Sequence, residues 1–116
     1  MYTLYGIPNC NSVQKARTWL AQNNIEYHFH DYKKEGISKN KLTAWCKELG
    51  WENVLNKKGT TWRELDDATK NDITTQAKGI VLMMEHNSSI KRPIIEKDGV
   101  FLVMRFDEKT YEELFL

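Results

Sequence analysis

The chain has 116 residues, 41% of them hydrophobic, 28% charged and 11% aromatic, which predicts a single folded domain over residues 1–116 and excludes a disordered chain. Seventeen Lys and Arg against 16 Asp and Glu leave a formal net charge of +1, so neither nucleic acid nor an anionic membrane is expected as partner. Two cysteines, Cys10 and Cys46, are too few for a disulfide-framed secreted domain or a zinc cluster, and no stretch approaches the roughly 18 apolar residues of a membrane span.

Tyr2 to Tyr5 reads as a short strand of aromatic and β-branched residues, closed by Gly6. Gly6-Ile7-Pro8-Asn9-Cys10 is a loop punctuated by Gly and Pro. A helix starts at Asn11, with Val13, Ala16 and Leu20 on one face, and ends at Asn23-Asn24. Ile25 to His30 alternates as a second strand, so the first thirty residues form a βαβ unit. Ser38 is a candidate N-cap for a helix carrying Leu42, Trp45, Cys46 and Leu49, which Gly50 stops.

Asn56 to Thr60 is a polar loop, followed by short helical turns over Trp62–Leu65 and Asp72–Ala77. Ile80, Met83 and Met84 mark a further helix face that ends near Asn87-Ser88-Ser89. Ile90 to Glu96 and Val100 to Met104 flank Lys97-Asp98-Gly99, a hairpin signal. Asp107 then caps a last helix whose stripe is Tyr111, Leu114 and Phe115. The order predicts a thioredoxin-like α/β fold, βαβ…ββα with a mixed sheet and a helical insertion over about residues 37–88.

Cys10 is the leading candidate for chemistry. It lies between the first strand and the first helix, at the carboxyl end of the sheet, where open α/β sheets bind their ligands. A sulfur at a helix N-terminus faces unpaired N–H groups and the positive end of the helix dipole, which favour the nucleophilic thiolate. Cys46 sits on an apolar stripe and reads as an inert core residue, although spacing alone leaves a Cys10–Cys46 disulfide open. Val13 stands three residues after Cys10, so no Cys-x-x-Cys pair exists and disulfide chemistry needs an external thiol.

Lys91-Arg92-Pro93 opens the third strand, and Arg92 could present its fork to a carboxylate or oxyanion. Arg105, directly after the fourth strand, carries the same reading, and the isomer of the Arg92–Pro93 bond stays open. His28 and His30 share a strand face, but two imidazoles without a third ligand predict no metal. The lysine pair Lys57-Lys58 reads as solvated charge, and the four tryptophans as core or element-end residues.

The loop Tyr5-Gly6-Ile7-Pro8-Asn9-Cys10-Asn11-Ser12, the segment Asn56 to Leu65 (NKKGTTWREL) and Lys91-Arg92-Pro93 resemble the ArsC/Spx family, above all its small YffB-like branch. That group contains glutaredoxin-coupled arsenate reductases and the transcription regulator Spx. The resemblance implies a thioredoxin fold with Cys10 as nucleophile. It also implies that Arg92 and Arg105 match two oxyanion-holding arginines, that Lys57 replaces a third, and that Pro93 lies close to the thiol. Arsenate reductases usually carry a histidine where this chain has Gly6, and this loss, with the lysine at 57, shifts the expected substrate away from arsenate.

The function expected is glutathione-dependent thiol reduction. Cys10 attacks a disulfide, Asn11 and Ser12 offer backbone N–H groups, and Lys57, Arg92 and Arg105 hold carboxylates. No bound cofactor is expected; glutathione is the co-substrate and glutaredoxin a candidate partner. Two alternatives are arsenate reduction coupled to glutathione and glutaredoxin, and a non-catalytic Spx-like regulator that binds RNA polymerase. The first residues lack the basic and apolar regions of a signal peptide, so a cytoplasmic location is expected. The resemblance implies a bacterial protein, and a monomer is expected.

Overall fold

A computed structural model describes residues 1–116 and divides the chain into two compact units, Met1–Asp31 with Arg92–Leu116, and Tyr32–Lys91.

The first unit is built on a four-stranded sheet of order β2-β1-β3-β4, with β1 at Tyr2–Gly6, β2 at Tyr27–Asp31, β3 at Ile94–Lys97 and β4 at Val100–Met104. β1 runs parallel to β2 and antiparallel to β3, and β3 is antiparallel to β4. The parallel pair is joined by helix α1 (Asn11–Gln22), as a βαβ connection requires. Asp98 and Gly99, with φ of +52° and +82°, form the tight β3–β4 turn, where glycine carries no Cβ penalty.

Side-chain alternation splits the sheet into two faces. Leu4 and Ile95 point to one face and join Val13, Ala16, Trp19 and Leu20 of α1 and Tyr111 of α8 (Glu108–Phe115) in one buried cluster. Each large apolar side chain so buried contributes about 2 kcal/mol of transfer free energy. On the other face the Tyr5 hydroxyl donates to the buried Glu96 carboxylate at 2.8 Å, and the His30 ring lies 4.7 Å from the Tyr5 ring. Leu114, in contrast to its expected place on the buried stripe, is 41% exposed; only Tyr111 and the half-buried Phe115 face inward.

The second unit is helical: α2 (Tyr32–Glu35), α3 (Lys39–Leu49), α4 (Trp51–Val54), α5 (Thr60–Arg63), α6 (Asp67–Asp72) and α7 (Gln76–Glu85), ending in a 3-10 turn at Asn87–Ser89. Ser38 caps α3 by accepting from the Lys41 N–H, and Gly50, at φ +88°, ends it. α3, α4 and α7 pack on one another. The turn expected over Asp72–Ala77 is displaced, because Asp66 caps α6 through the Thr69 N–H at 2.7 Å and Thr75 caps α7 anew. On α7, Ile80, Leu82 and Met83 are buried while Met84 is exposed, which corrects the expected face by one position.

Candidate active site

Ile7 is buried and Pro8 and Asn9 are exposed, so the loop after β1 leaves the core within two residues. Cys10 follows as the N-cap of α1, in extended conformation at φ −105° and ψ 127°, and its carbonyl accepts the first helical bond from the Gln14 N–H at 2.9 Å. The N–H groups of Asn11, Ser12 and Val13 precede that bond and point out of the helix end. The sulfur itself makes no capping hydrogen bond; Cys10 is half-buried and packs against the apolar cluster. Asn11 and Ser12 are exposed beside it, and both cysteines are free thiols.

Gly6 is fixed by the same geometry. A Cβ built there would stand 2.6 Å from Cγ2 of Val13, so the end of β1 can approach the first turn of α1 only without a side chain. Buried Val13 holds that turn to the sheet, and the turn carries Cys10.

Strand register brings three further residues to the same end of the sheet. Tyr5 of β1 pairs with Ile94 of β3, and Ile94 pairs with Met104 of β4. One step along that register, Pro93 faces the end of β1 and Arg105 follows the end of β4. The Arg105 N–H donates to the Pro93 carbonyl at 2.7 Å. Pro93 is buried behind a cis Arg92–Pro93 bond, Arg92 is half-buried, and Arg105 is exposed at φ +71°. The strand expected from Ile90 is shorter than anticipated: Pro93 lacks the ladder N–H, β3 begins at Ile94, and Ile90 instead bridges Leu55 in the helical unit.

Lys57 belongs to the helical unit, in the loop between α4 and α5. Its ammonium stands 5.4 Å from the centroid of the Trp51 ring and 5.4 Å from that of Trp62. Cys46 is buried on α3, and burial pushes its thiol up from 9.0 to about 11, which keeps it protonated and unreactive. His28 is exposed on β2, and the His30 ring lies 4.7 Å from that of Tyr5, tilted by 39°.

Two features of these sites were not anticipated. Tyr111 was read only as core, yet its hydroxyl donates to the Arg105 carbonyl at 2.7 Å; a tyrosine rather than phenylalanine in a buried stripe was the available signal. Trp51 and Trp62 are among the four tryptophans expected at core or element-end positions, and their shared contact with Lys57 depends on how the loop folds back, which spacing does not encode.

The sequence profile of the ArsC family matches residues 5–114. An uncharacterized protein of Haemophilus influenzae is 44% identical over 115 residues, 99% of each chain. The solved structure of a YffB protein is 46% identical, covers all of both chains and superposes with a TM-score of 0.92. A solved arsenate reductase (ArsC) related protein of Brucella melitensis is 41% identical over 98% of this chain and 93% of its own, with a TM-score of 0.77. The four-stranded mixed sheet with its helices is thus the thioredoxin-like fold of these proteins. No helix is long and apolar enough to cross a membrane.

Proposed function

The chain belongs to the ArsC family, and on that premise we propose that it is a thiol–disulfide oxidoreductase with Cys10 as its single nucleophile and glutathione as its co-substrate. The family and the likeness to an arsenate reductase related protein support redox chemistry as the class. The observation that carries the finer reading is the placement of Cys10 at the N-cap of α1, half-exposed, at the sheet end shared with Pro93 and Arg105.

In the first step the Cys10 thiolate attacks one sulfur of a mixed disulfide between glutathione and another thiol. A Cys10–glutathione disulfide forms, and the other thiol leaves as a thiolate that takes a proton from water. In the second step the thiolate of a second glutathione attacks the glutathione sulfur of that adduct. Oxidised glutathione leaves and the Cys10 thiolate is restored. One glutathione thiol is oxidised for each thiol released. With no second cysteine three residues on, the adduct waits for an external thiol, supplied by glutathione or by a glutaredoxin.

Arg92 and Arg105 supply guanidinium forks for the carboxylates of the tripeptide. Arsenate is the less suited substrate: the space a side chain would need at position 6 is occupied by Val13, so the polar partner of arsenate enzymes has no room.

Turnover of a glutathione mixed disulfide by wild type and by Cys10→Ser, coupled to glutathione reductase, tests the reading. Wild type is expected to turn over and to accumulate one glutathione per chain on Cys10 when reductant is withheld. Full activity in Cys10→Ser would end the proposal, and arsenate-dependent oxidation of glutathione at a higher rate would replace the substrate.

A further inference from the structure

Within the first unit, helix α1 carries a polar stripe beside the cysteine. Asn11, Lys15, Thr18 and Gln22 stand at i, i+4, i+7 and i+11, which places them on one helix face, and all four are exposed. None of these side chains makes a hydrogen bond or ion pair within the chain. A helix face that serves only water is stabilised by opposite charges four residues apart and by strong helix formers. This stripe has no such pair, and Asn and Thr are weak formers. The stripe borders a groove of about 430 Å³, within the roughly 300–1,000 Å³ of ligand clefts, and the start of α8 forms the other wall.

The groove is preformed. Its floor is made by the rings of Trp19 and Phe106, and both pack edge-on against the buried Tyr111 ring, at 5.5 Å and 4.9 Å. Asp107 caps α8 through the Thr110 N–H at 2.9 Å, which fixes the turn that carries Glu108, the one acidic group of the lining. Lys15 is its one basic group, so the lining charges cancel. The other polar groups are the amides of Asn11, Gln14 and Gln22 and the Thr18 hydroxyl. A primary amide offers a donor and an acceptor together, as a peptide unit does, and so suits neutral backbone. Two carboxylates, as in glutathione, would meet a single cation opposed by Glu108. From Asn11 to Gln22 the wall runs about 16 Å, the length of about five extended residues and more than a tripeptide. Gln14 donates to the Pro8 carbonyl at 3.1 Å, which ties this wall to the loop that carries the sulfur.

We propose that the groove between α1 and α8 seats the extended polypeptide that flanks the target thiol, so that the favoured substrate is a protein cysteine in disulfide with glutathione rather than a small disulfide. This rests on the thiol-transfer reading of Cys10 for the chemistry, though not for the existence of the peptide seat. The Cys10 thiolate attacks the glutathione sulfur, the S–S bond to the polypeptide breaks, and the polypeptide leaves as a thiolate that takes a proton from water. Trp19 lies nine residues along the helix from Cys10, about 13 Å, which about four extended residues cover. An apolar side chain four positions from the target cysteine therefore reaches the aromatic floor.

The acetylated and amidated peptide Leu-Ser-Gly-Ser-Cys-Ser-Gly-Ser-Leu, with leucine four positions from cysteine on either side, tests the seat as its glutathione disulfide in the coupled turnover assay. Wild type is expected to show a kcat/KM at least tenfold above that for the disulfide of glutathione with N-acetylcysteine amide. It should also exceed severalfold the value for the same peptide with alanine at both ends. Thr18→Arg, a stronger helix former that fills the groove, is expected to bring the ratio of peptide to small disulfide below threefold. A wild-type ratio near one, or an undiminished ratio in Thr18→Arg, overturns the proposal. Binding is read without turnover in Cys10→Ser, using the peptide with serine in place of cysteine. The side-chain amide signals of Asn11, Gln14 and Gln22 are expected to shift in a nitrogen–proton correlation spectrum while those of Asn53 and Asn87 stay, and Thr18→Arg abolishes the shifts. If the shifts occur but neither disulfide turns over, the thiol-transfer reading fails and the peptide seat stands. If both disulfides turn over equally and the amides do not move, the seat fails and the thiol-transfer reading stands. Shifts of the same amides with glutathione alone, or with protein concentration alone, assign the groove to the tripeptide or to a second copy of the chain and overturn the proposal.

Discussion

Arg105 is tied to Pro93 through its backbone: its N–H donates to the Pro93 carbonyl at 2.7 Å, while its own carbonyl accepts from the Tyr111 hydroxyl at 2.7 Å. Both peptide groups are thereby held, with the residue at φ +71°, a left-handed conformation that costs a non-glycine residue about 1–2 kcal/mol. Glycine at this position removes the strain and adds unfolded-state entropy of similar size. Arg105→Gly is therefore expected to unfold at the same urea concentration as wild type to within about 1 kcal/mol. In the same protein the KM for glutathione should rise about tenfold, the loss of one charge-assisted contact. A large loss of stability would mean that the side chain serves the fold rather than a ligand.

Tyr111→Phe removes only the hydroxyl that reaches Arg105. Losing this part-buried hydrogen bond costs about 0.5–1.5 kcal/mol, so the urea midpoint should fall. The ring contacts with Trp19 at 5.5 Å and Phe106 at 4.9 Å remain, and far-ultraviolet circular dichroism should not change.

The contact at Gly6 predicts a compensating pair. Gly6→Ala places a methyl group 2.6 Å from the Val13 side chain and is expected to destabilise by about 1–3 kcal/mol. Gly6→Ala with Val13→Ala should be more stable than the sum of the two single changes by at least about 1 kcal/mol, as measured in a double-mutant cycle. Additive effects would show that β1 and α1 separate freely.

Alkaline pH should weaken the fold through two buried groups. Burial pushes the Cys46 thiol up to about 11 and raises the Tyr111 phenol as well. As pH rises past the ordinary thiol range, the unfolded chain loses these protons before the folded chain does, so it binds fewer protons and stability falls with pH. The urea midpoint should decline from about pH 9 upward, and Cys46→Ala should flatten the first part of that decline. At pH 8 a disulfide reagent should titrate one thiol per native chain, Cys10, and two only after denaturation.

Acid acts at the other end of the scale. Asp107 accepts from the Thr110 N–H at 2.9 Å and from its hydroxyl at 2.6 Å, which holds its carboxyl below the ordinary carboxylate value. That contribution to stability is present above about pH 4 and is lost as pH falls through the lowered folded value. Asp107→Ala should lower the melting temperature at pH 7, and the difference from wild type should shrink toward pH 3.

Elements marked by their own residues were legible in the sequence. Gly6, the Ser38 and Asp107 caps, the Gly50 stop and the Asp98-Gly99 turn are local devices whose side chains or lack of one determine the backbone. The single turns at Tyr32–Glu35 and Trp51–Val54 were missed, because four residues are too few to show a helical period. Ile90 was drawn into β3 by the β-branched run around Pro93, and only the chain's return past Leu55 assigns it elsewhere. At the candidate site the cysteine and the arginines could be named from the sequence, but their meeting at one sheet end depends on register. The left-handed turn at Arg105 depends on two distant hydrogen bonds, which leave no mark in local composition.

The central strand of the first unit takes its two neighbours from opposite ends of the chain: β1 pairs with β2 at Tyr27–Asp31 and with β3 at Ile94–Lys97. The βαβ unit alone therefore leaves one edge of β1 open, and only the pairing with β3, more than sixty residues further along the chain, closes it. A molecule in which β3 is undocked carries Cys10 beside an unpaired strand edge and without the Pro93–Arg105 hydrogen bond, so the end of the sheet that bears the sulfur is completed by long-range contacts.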